Sequence, residues 1–546
     1  MKINRVFINN FRSIKSLEFC PTDICAIVGE NNAGKTNILA ALNFLLGENW
    51  PSRQRLEARD YYNQDTTEPI DIEVWLEENP YGVGRIWCTI PWQGKAETKF
   101  ENSRGNEQYL TNEIRDQCAL VYLDATRNLE QHLGYSRWTL FGRIIRELDI
   151  DFRQNASEAS QKALKESFNT ARDLLRTNLF STFEETFKAS FGDQLKRTTH
   201  EIEIDFQTFD LLNYYRSLQP LLVENFMQKN LTEAGQGMRN LILLALFRTY
   251  AKVFKGDAII AIEEPEIYLH PHAQRSLAAL FQELAAKGNQ IFYSTHSGNF
   301  IHIDRFDEIC LIEKKADDEW DVCTQAQQVS AGYLLEERRR LYPQVQMSEN
   351  GLRERYRNIC SLEHNEAFFA NKIVLVEGET EEYALPIYTT ARNYDFNAHG
   401  VSIVNAHGKS NLDQLYQLYN SFNIPVYLIF DNDRGGNAKD LEQNKILLRM
   451  LRQPESREPP GTVRDKFAIL EGKFEEEMES YMETIQPGEY ARLKAKATER
   501  LGSNAGKGLV ARFMAKRLTA EEVIPEFIGK IIDAVQVLGT DDDFPF

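Results

Sequence analysis

Gly29-Glu30-Asn31-Asn32-Ala33-Gly34-Lys35-Thr36 decides how the first half of this chain is read. The octet matches GxxxxGK[ST], follows the apolar run Ile24–Val28 and opens the helical pattern Asn37–Leu46. A strand, a glycine loop and a helix in that order form a phosphate cradle. Gly29 and Gly34 let backbone N–H groups close on the phosphates, with Asn31, Asn32 and Asn37 alongside. Lys35 reaches the β/γ oxygens and the Thr36 hydroxyl can ligate Mg2+. ATP is therefore the expected cofactor of this loop.

Two further pieces lie far downstream. Ala258–Ile262 reads as a strand ending in Glu263-Glu264-Pro265-Glu266, followed by Leu269-His270-Pro271. A carboxylate pair at a strand end suits Mg2+ ligation by Glu263 and activation of an attacking water by Glu264. Gln290–Tyr293 reads as the next strand, ending in Ser294-Thr295-His296-Ser297, which places His296 where a γ-phosphate would be sensed. The order of these pieces resembles the ABC-type ATPase heads of the SMC and RecF kind, as does the opening Ile8-Asn9-Asn10-Phe11-Arg12-Ser13-Ile14. That resemblance implies a signature loop before the Glu263 strand. Ala234-Gly235-Gln236-Gly237-Met238-Arg239-Asn240 takes the place, with Gly235 and Gly237 as ATP contacts. It also implies a dimer with shared ATP sites. Glu263 stands where Asp is more usual, and no Gln-loop stands out. Arg143 to Lys196 has helical spacing at Ile144, Ile145, Leu148, Leu164, Phe168, Ala171, Leu174 and Leu175. It reads as an inserted helical segment that packs either on a second copy or within its own core.

The last third carries two acidic clusters. Glu377 closes the apolar run Lys372–Val376 in Leu375-Val376-Glu377-Gly378-Glu379-Thr380-Glu381-Glu382; Asp431 and Asp433 follow Val426–Phe430. Both runs read as buried parallel strands. Open α/β sheets collect ligands at the carboxyl ends of such strands. Carboxylates gathered there repel one another unless cations sit between them, so a divalent-metal site is expected. Glu at one strand end and Asp-x-Asp at another define the Toprim site of type II topoisomerases, primases and some nucleases.

An ABC head with a helical insertion and a Toprim domain together resemble the OLD (overcoming lysogenization defect) family of nucleases. The resemblance rests most specifically on Glu263-Glu264-Pro265-Glu266 with His270-Pro271, on Ser294-Thr295-His296-Ser297, and on Glu377 through Pro386. It implies DNA cleavage dependent on Mg2+ or Mn2+, with two ions, and a role in defence against phage and mobile DNA. It assigns the metal ligands to Glu377, Glu381, Asp431 and Asp433, with Glu475 in Glu471-Gly472-Lys473-Phe474-Glu475 completing a second site. It also implies a lysine facing the scissile phosphate, and Lys507 in Asn504-Ala505-Gly506-Lys507-Gly508 takes that place. Lys473 stands where an acid often precedes the Phe-Glu pair.

Composition bounds the rest. The chain has 546 residues, 42% hydrophobic and 26% charged, with a net charge of -18. That length asks for two or three domains. The charge excludes a broadly basic surface, yet Arg492, Lys494, Lys496, Arg500, Lys507, Arg512, Lys516 and Arg517 cluster locally. They form either a solvated face or a phosphate-facing one. No apolar run approaches the roughly 20 residues that span a bilayer, and Met1-Lys2-Ile3-Asn4-Arg5 lacks a signal-peptide core. The 7 cysteines show no CxxC or Cys/His cluster, so reduced thiols and a cytoplasmic location are expected.

The expected fold class is α/β: an ABC/SMC-like P-loop ATPase with a helical insertion, followed by a C-terminal Toprim α/β domain. The boundaries drawn are 1–142 for the N-terminal ATPase lobe, 143–215 for the insertion and 216–330 for the C-terminal lobe. A charged linker at 331–366, the Toprim domain at 367–540 and an acidic tail at 541–546 follow. That tail, Asp541-Asp542-Asp543-Phe544-Pro545-Phe546, resembles the tip of bacterial single-stranded-DNA-binding protein. The resemblance implies docking on host repair proteins through the terminal carboxylate; a plain disordered, solubilising tail is the other reading. A Toprim strand-passage or primase enzyme and a non-catalytic, ATP-switched nucleic-acid clamp stand as alternatives to the nuclease.

Overall fold

The computed structural model describes residues 1–126, 134–136, 138–194, 211–218, 258–318, 321–502 and 504–539, with short pieces between 222 and 250. Three large sheets organise them. The first is six-stranded and antiparallel, in the order 14–19, 3–11, 70–76, 83–90, 97–102, 107–109. Ile70, Ile72, Val74 and Leu76 are buried while the residues between them are half-exposed, as in a sheet with one face toward water.

The second sheet runs 321–327, 309–318, 24–29, 290–294, 259–263, 120–123. Strands 24–29, 259–263 and 290–294 are buried at every residue, because both of their faces are packed. That double burial explains their unbroken apolar sequences. Strand 290–294 lies between the other two and parallel to both. The P-loop and Glu263-Glu264 therefore end at the same sheet edge, with Ser294-Thr295-His296 between them.

The third sheet runs 401–405, 372–376, 426–431, 467–470, 462–463. Its first four strands are parallel and the last is antiparallel. Strand 372–376 has its successors on opposite sides. That is a topological switch point, the place where open α/β sheets leave a crevice for ligands.

Residues 331–366 differ from what the sequence suggests, and the helical insertion leaves apolar side chains uncovered. Residues 331–366, expected as a linker, form helices Ala331–Leu341, Glu349–Ile359 and Leu362–Glu366. Leu334, Leu335, Leu352 and Tyr356 are buried. The charges of Glu336 to Arg340 occupy the outer face, except Arg338, which is buried against Asp413 at 2.7 Å. In the insertion, helices Leu140–Asn155, Glu158–Leu175 and Asn178–Gln194 follow one another. Leu140, Ile144 and Ile145 are buried, but no residue of Glu158–Leu175 is, and Leu174 and Leu175 are 77% and 60% exposed. Its apolar stripe is thus not part of the described core.

One continuous core runs from Ile24, Ile260 and Tyr293 through Phe306, Leu352 and Phe368 to Ile373, Leu428 and Ile469. The second and third sheets are thereby packed together, not tethered. A separate core joins the first sheet to helix Lys35–Leu46, and a third lies under the C-terminal helices around Met482, Met514 and Ile532. Among the described residues no helix is long and apolar enough to cross a membrane.

Candidate active sites

The P-loop needs its glycines for two separate reasons. Gly29 has φ 146°, and a Cβ there would lie 2.1 Å from the Ile312 carbonyl oxygen. Gly34 has φ 112° and caps helix Lys35–Leu46, with Thr324 Oγ1 only 2.5 Å from a would-be Cβ. Lys35 is buried, and its ammonium donates to the carbonyls of Gly29 at 2.8 Å and Glu30 at 2.7 Å. Burial pulls its pKa down to about 8, against the pull of Glu264, Glu266 and Glu30. Thr36, Asn31 and Asn32 are exposed. The Asn37 amide donates to Ser13 Oγ at 2.8 Å, which meets Thr324 Oγ1 at 2.8 Å; that hydroxyl donates to the Ala33 carbonyl. This brace from Ser13 and Thr324 carries no motif and was not found from the sequence.

Glu263 is buried and accepts from the Tyr122 hydroxyl and, at 3.2 Å, from the Ala125 N–H. Glu264 is half-buried with φ 41°, its N–H held by the Ser294 carbonyl at 2.9 Å. Glu266 accepts from the Thr295 hydroxyl and the His296 N–H, and burial raises its pKa. The His296 imidazole is lowered by partial desolvation and then by the Lys35 charge, with Glu264 opposing. His296 lines a cleft of about 700 Å³ together with Gly29, Glu30, Asn31, Glu366 and Phe369, and Lys35 and Glu264 lie close enough to act on its charge. The His296 ring stacks with Phe369 at 6.3 Å between centroids. Gly235 is exposed, while Gly237 and most of the expected signature loop lie outside the described residues.

The second site forms at the switch point of the third sheet. Glu377 follows strand Lys372–Val376, and Asp431 ends the neighbouring strand Val426–Asp431. Glu381 lies in the first turn of helix Glu379–Ala391. Glu377 is half-buried; Glu381 and Asp431 are 4% and 9% exposed. Burial pushes Asp431 up to about 9, and Glu381, Glu377 and Asp433 push it further in the same direction. Burial pushes Glu381 to about 8, with Glu377 and Glu475 adding to it. Glu377 is raised as well, burial first. Glu377 Oε2 and Asp431 Oδ1 are buried without a hydrogen-bond partner. Crowded carboxylates with orphaned oxygens fit a hard divalent cation, since each lone pair left dry is otherwise a cost.

Asp433 has φ 49°, and its Oδ2 pairs with the buried ammonium of Lys409, which also donates to the Asp431 carbonyl. Lys409 was missed from the sequence. It follows strand Val401–Asn405 through His407 and Gly408, at φ 53° and 121°. Its only signal is position at the end of a third parallel strand. Glu475, in the first turn of helix Phe474–Ile485, accepts from the Thr380 hydroxyl at 2.9 Å. Lys507 begins helix Lys507–Ala520 and shares a cavity wall with Thr380 and Glu475. Gly508 is needed beside it, because a Cβ there would lie 2.5 Å from the Tyr383 ring. Of the basic cluster, Arg492 is paired with Glu489 on its own helix, whereas Lys494 faces this cavity.

Known proteins share both halves. The AAA ATPase domain family matches residues 1–121 and 95–301. The TOPRIM domain of the overcoming lysogenization defect protein-like family matches residues 368–433. The OLD nuclease of Thermus scotoductus is 29% identical over 455 residues, 79% of this chain and 82% of that protein. The Old nuclease of Escherichia phage P2 is 24% identical over 500 residues, covering 82% and 80%. Endonuclease GajA of Bacillus cereus is 22% identical over 422 residues, covering 70% and 66%. Glu475 and Lys507 lie beyond the matched TOPRIM segment. The chain belongs to the AAA ATPase domain family through its first 301 residues, and joins to it the OLD-like TOPRIM domain that bears Glu377, Asp431 and Asp433.

Proposed function

We propose that this chain is an ATP-hydrolysing, divalent-metal-dependent DNA endonuclease, acting in defence against phage or mobile DNA. The observation that carries this reading is the pair of buried, unpartnered oxygens of Glu377 and Asp431 at adjacent strand ends. In the ATP cleft, Lys35 and the loop N–H groups hold the phosphates. Glu264 orients and deprotonates the attacking water, and His296 meets the γ-phosphate. Glu263 and Thr36 would hold the accompanying Mg2+. In the second site, Glu377, Glu381, Asp431, Asp433 and Glu475 would hold one or two Mg2+ or Mn2+ ions. When bound, such ions supply a hydroxide nucleophile and neutralise a leaving oxyanion. Lys409 fixes Asp433, and Lys507 offers positive charge to the scissile phosphate.

The exposed Leu174 and Leu175 of helix Glu158–Leu175 support a homodimer or larger assembly. The tail Asp541–Phe546 lies outside the described residues; recruitment of host repair proteins through it is a proposal from its sequence. A pull-down with intact and tail-deleted protein tests it, and equal recovery of repair enzymes would count against it.

Plasmid incubated with Mg2+ or Mn2+, with and without ATP, tests the main reading. Nicked or linear product is expected. Glu377→Ala should lower nicking by at least about a hundredfold while ATP hydrolysis persists, and Lys35→Ala should do the reverse to ATP hydrolysis. Wild-type nicking by Glu377→Ala refutes the site assignment. Altered supercoiling without breaks would indicate strand passage, and binding without any change in the plasmid a clamp.

A further inference from the structure

Beside the carboxylate site lies a cavity of about 530 Å³ of which the mechanism uses only Glu475 and Lys507. Its floor is apolar and aromatic: Tyr388, Phe474, Tyr490 and Met514 line it, and each is nearly fully buried. Its mouth is shared with the metal-site side chains, since Thr380, Glu475 and Lys507 also line it. The hydroxyls of Tyr388 and Tyr490 have no hydrogen-bond partner among the described residues. Lys494 stands over the Tyr490 ring with its ammonium 5.9 Å from the centroid.

Charge narrows the occupant. Lys473, Lys494 and Lys507 ring the opening, but Glu475, Glu476 and Glu479 line the same cavity. A phosphate lodged among those carboxylates would be repelled. A neutral, flat aromatic group would not. It would lie against the apolar floor, turn its polar edge to the Tyr388 and Tyr490 hydroxyls, and give an exocyclic amino proton to Glu479. Its own phosphate would remain at the lysine rim, beside Lys507.

We infer that this cavity receives one unstacked nucleobase of the DNA strand being cut, next to the scissile phosphate. This rests on the nuclease reading above and adds to it a base-binding subsite and a demand for local unstacking. Extruding a base costs energy that a mismatch or a frayed pair lowers, so such duplexes should be cut faster.

Duplex oligonucleotides with a mapped cut site test this. Single abasic substitutions are placed at each nucleotide flanking the cut, and cleavage and affinity are measured. One abasic position is expected to slow wild-type cleavage by about tenfold or more, the size of one lost set of base-edge contacts. Ala511→Trp, whose indole would fill the cavity, should erase that sensitivity. Tyr490→Phe, which removes a single hydroxyl, should weaken base preference at the same position. Retained ATP hydrolysis shows that both variants are folded. Cleavage varying by less than about twofold across the scan overturns the subsite. So does a sensitivity that persists undiminished in both variants. If the wild-type protein fails to cut the unmodified duplex, the nuclease reading itself falls, and the subsite with it.

Discussion

Asp431 concentrates the electrostatics of the carboxylate site. An aspartate in an unfolded chain ionises near pH 4, whereas Asp431 is pushed to about 9 and Glu381 to about 8. Between those limits the metal-free folded site holds protons that the unfolded chain has released. Its contribution to stability is therefore full below about pH 4 and is lost as pH rises toward about 9. In EDTA the melting temperature should fall between about pH 6 and 9, and Asp431→Asn should flatten that fall. Mn2+ or Mg2+ should raise the melting temperature more at the alkaline end, because fewer protons must be displaced. Differential scanning fluorimetry reads both, and a wild-type curve identical to that of Asp431→Asn would refute the account. Lys409 gives a second test. Lys409→Met removes the cation that holds Asp433 and should lower nicking by about 10- to 100-fold, with ATP hydrolysis unchanged. The contrast between these residues shows what a sequence discloses. Glu377 and Asp431 each stand directly after an apolar strand, so a local pattern marks them. Lys409 follows its strand at a distance, through two residues of positive φ. Ser13 and Thr324 meet across 311 positions, beyond the reach of any local pattern.

Helix Ala331–Leu341 shows how charge can hide an element. Ala331, Leu334, Leu335, Arg338 and Leu341 form its buried stripe, but Glu336 through Arg340 read as a solvated linker. Arg338 is the member of the stripe that a hydropathy pattern scores as a break. Its guanidinium bonds Asp413 at 2.7 Å and Gln417 at 3.3 Å on helix Leu412–Ser421. Asp413 also accepts from the Tyr342 hydroxyl and the Gln443 amide. Both charges are nearly dry, at 4% and 0% exposure. Removing one of them leaves the other uncompensated, so Arg338→Ala should destabilise by about 3–5 kcal/mol. The double change Arg338→Met with Asp413→Leu should recover much of that loss. Urea unfolding of the three variants checks the pair; a double variant no more stable than the single one would show that the charge itself is needed. The parallel strands were easier to locate, since burial on both faces leaves an unbroken apolar run. Helix Ala331–Leu341 was not, because its apolar stripe is interrupted by one member of a buried ion pair.

The continuous core from Ile24 to Ile469 makes the ATPase and Toprim sheets one mechanical body. Calorimetry of the whole chain should accordingly show these two sheets melting in a single transition, shifted upward by a tight-binding ATP analogue. A fragment beginning at residue 367 would bare Phe368, Tyr419 and Phe422, all buried in the intact chain, and should aggregate instead of folding. Two well-separated transitions, only one of them moved by nucleotide, would contradict this. The stack of His296 on Phe369 gives that rigidity a direction. Phe369 lies in the nucleotide cleft, and only Ala370 and Asn371 separate it from the strand that delivers Glu377. A side chain pressed by the γ-phosphate would therefore pull on the strand that ends at the carboxylates; nicking by Phe369→Ala that no longer responds to ATP would reveal that link, and an unchanged response would refute it.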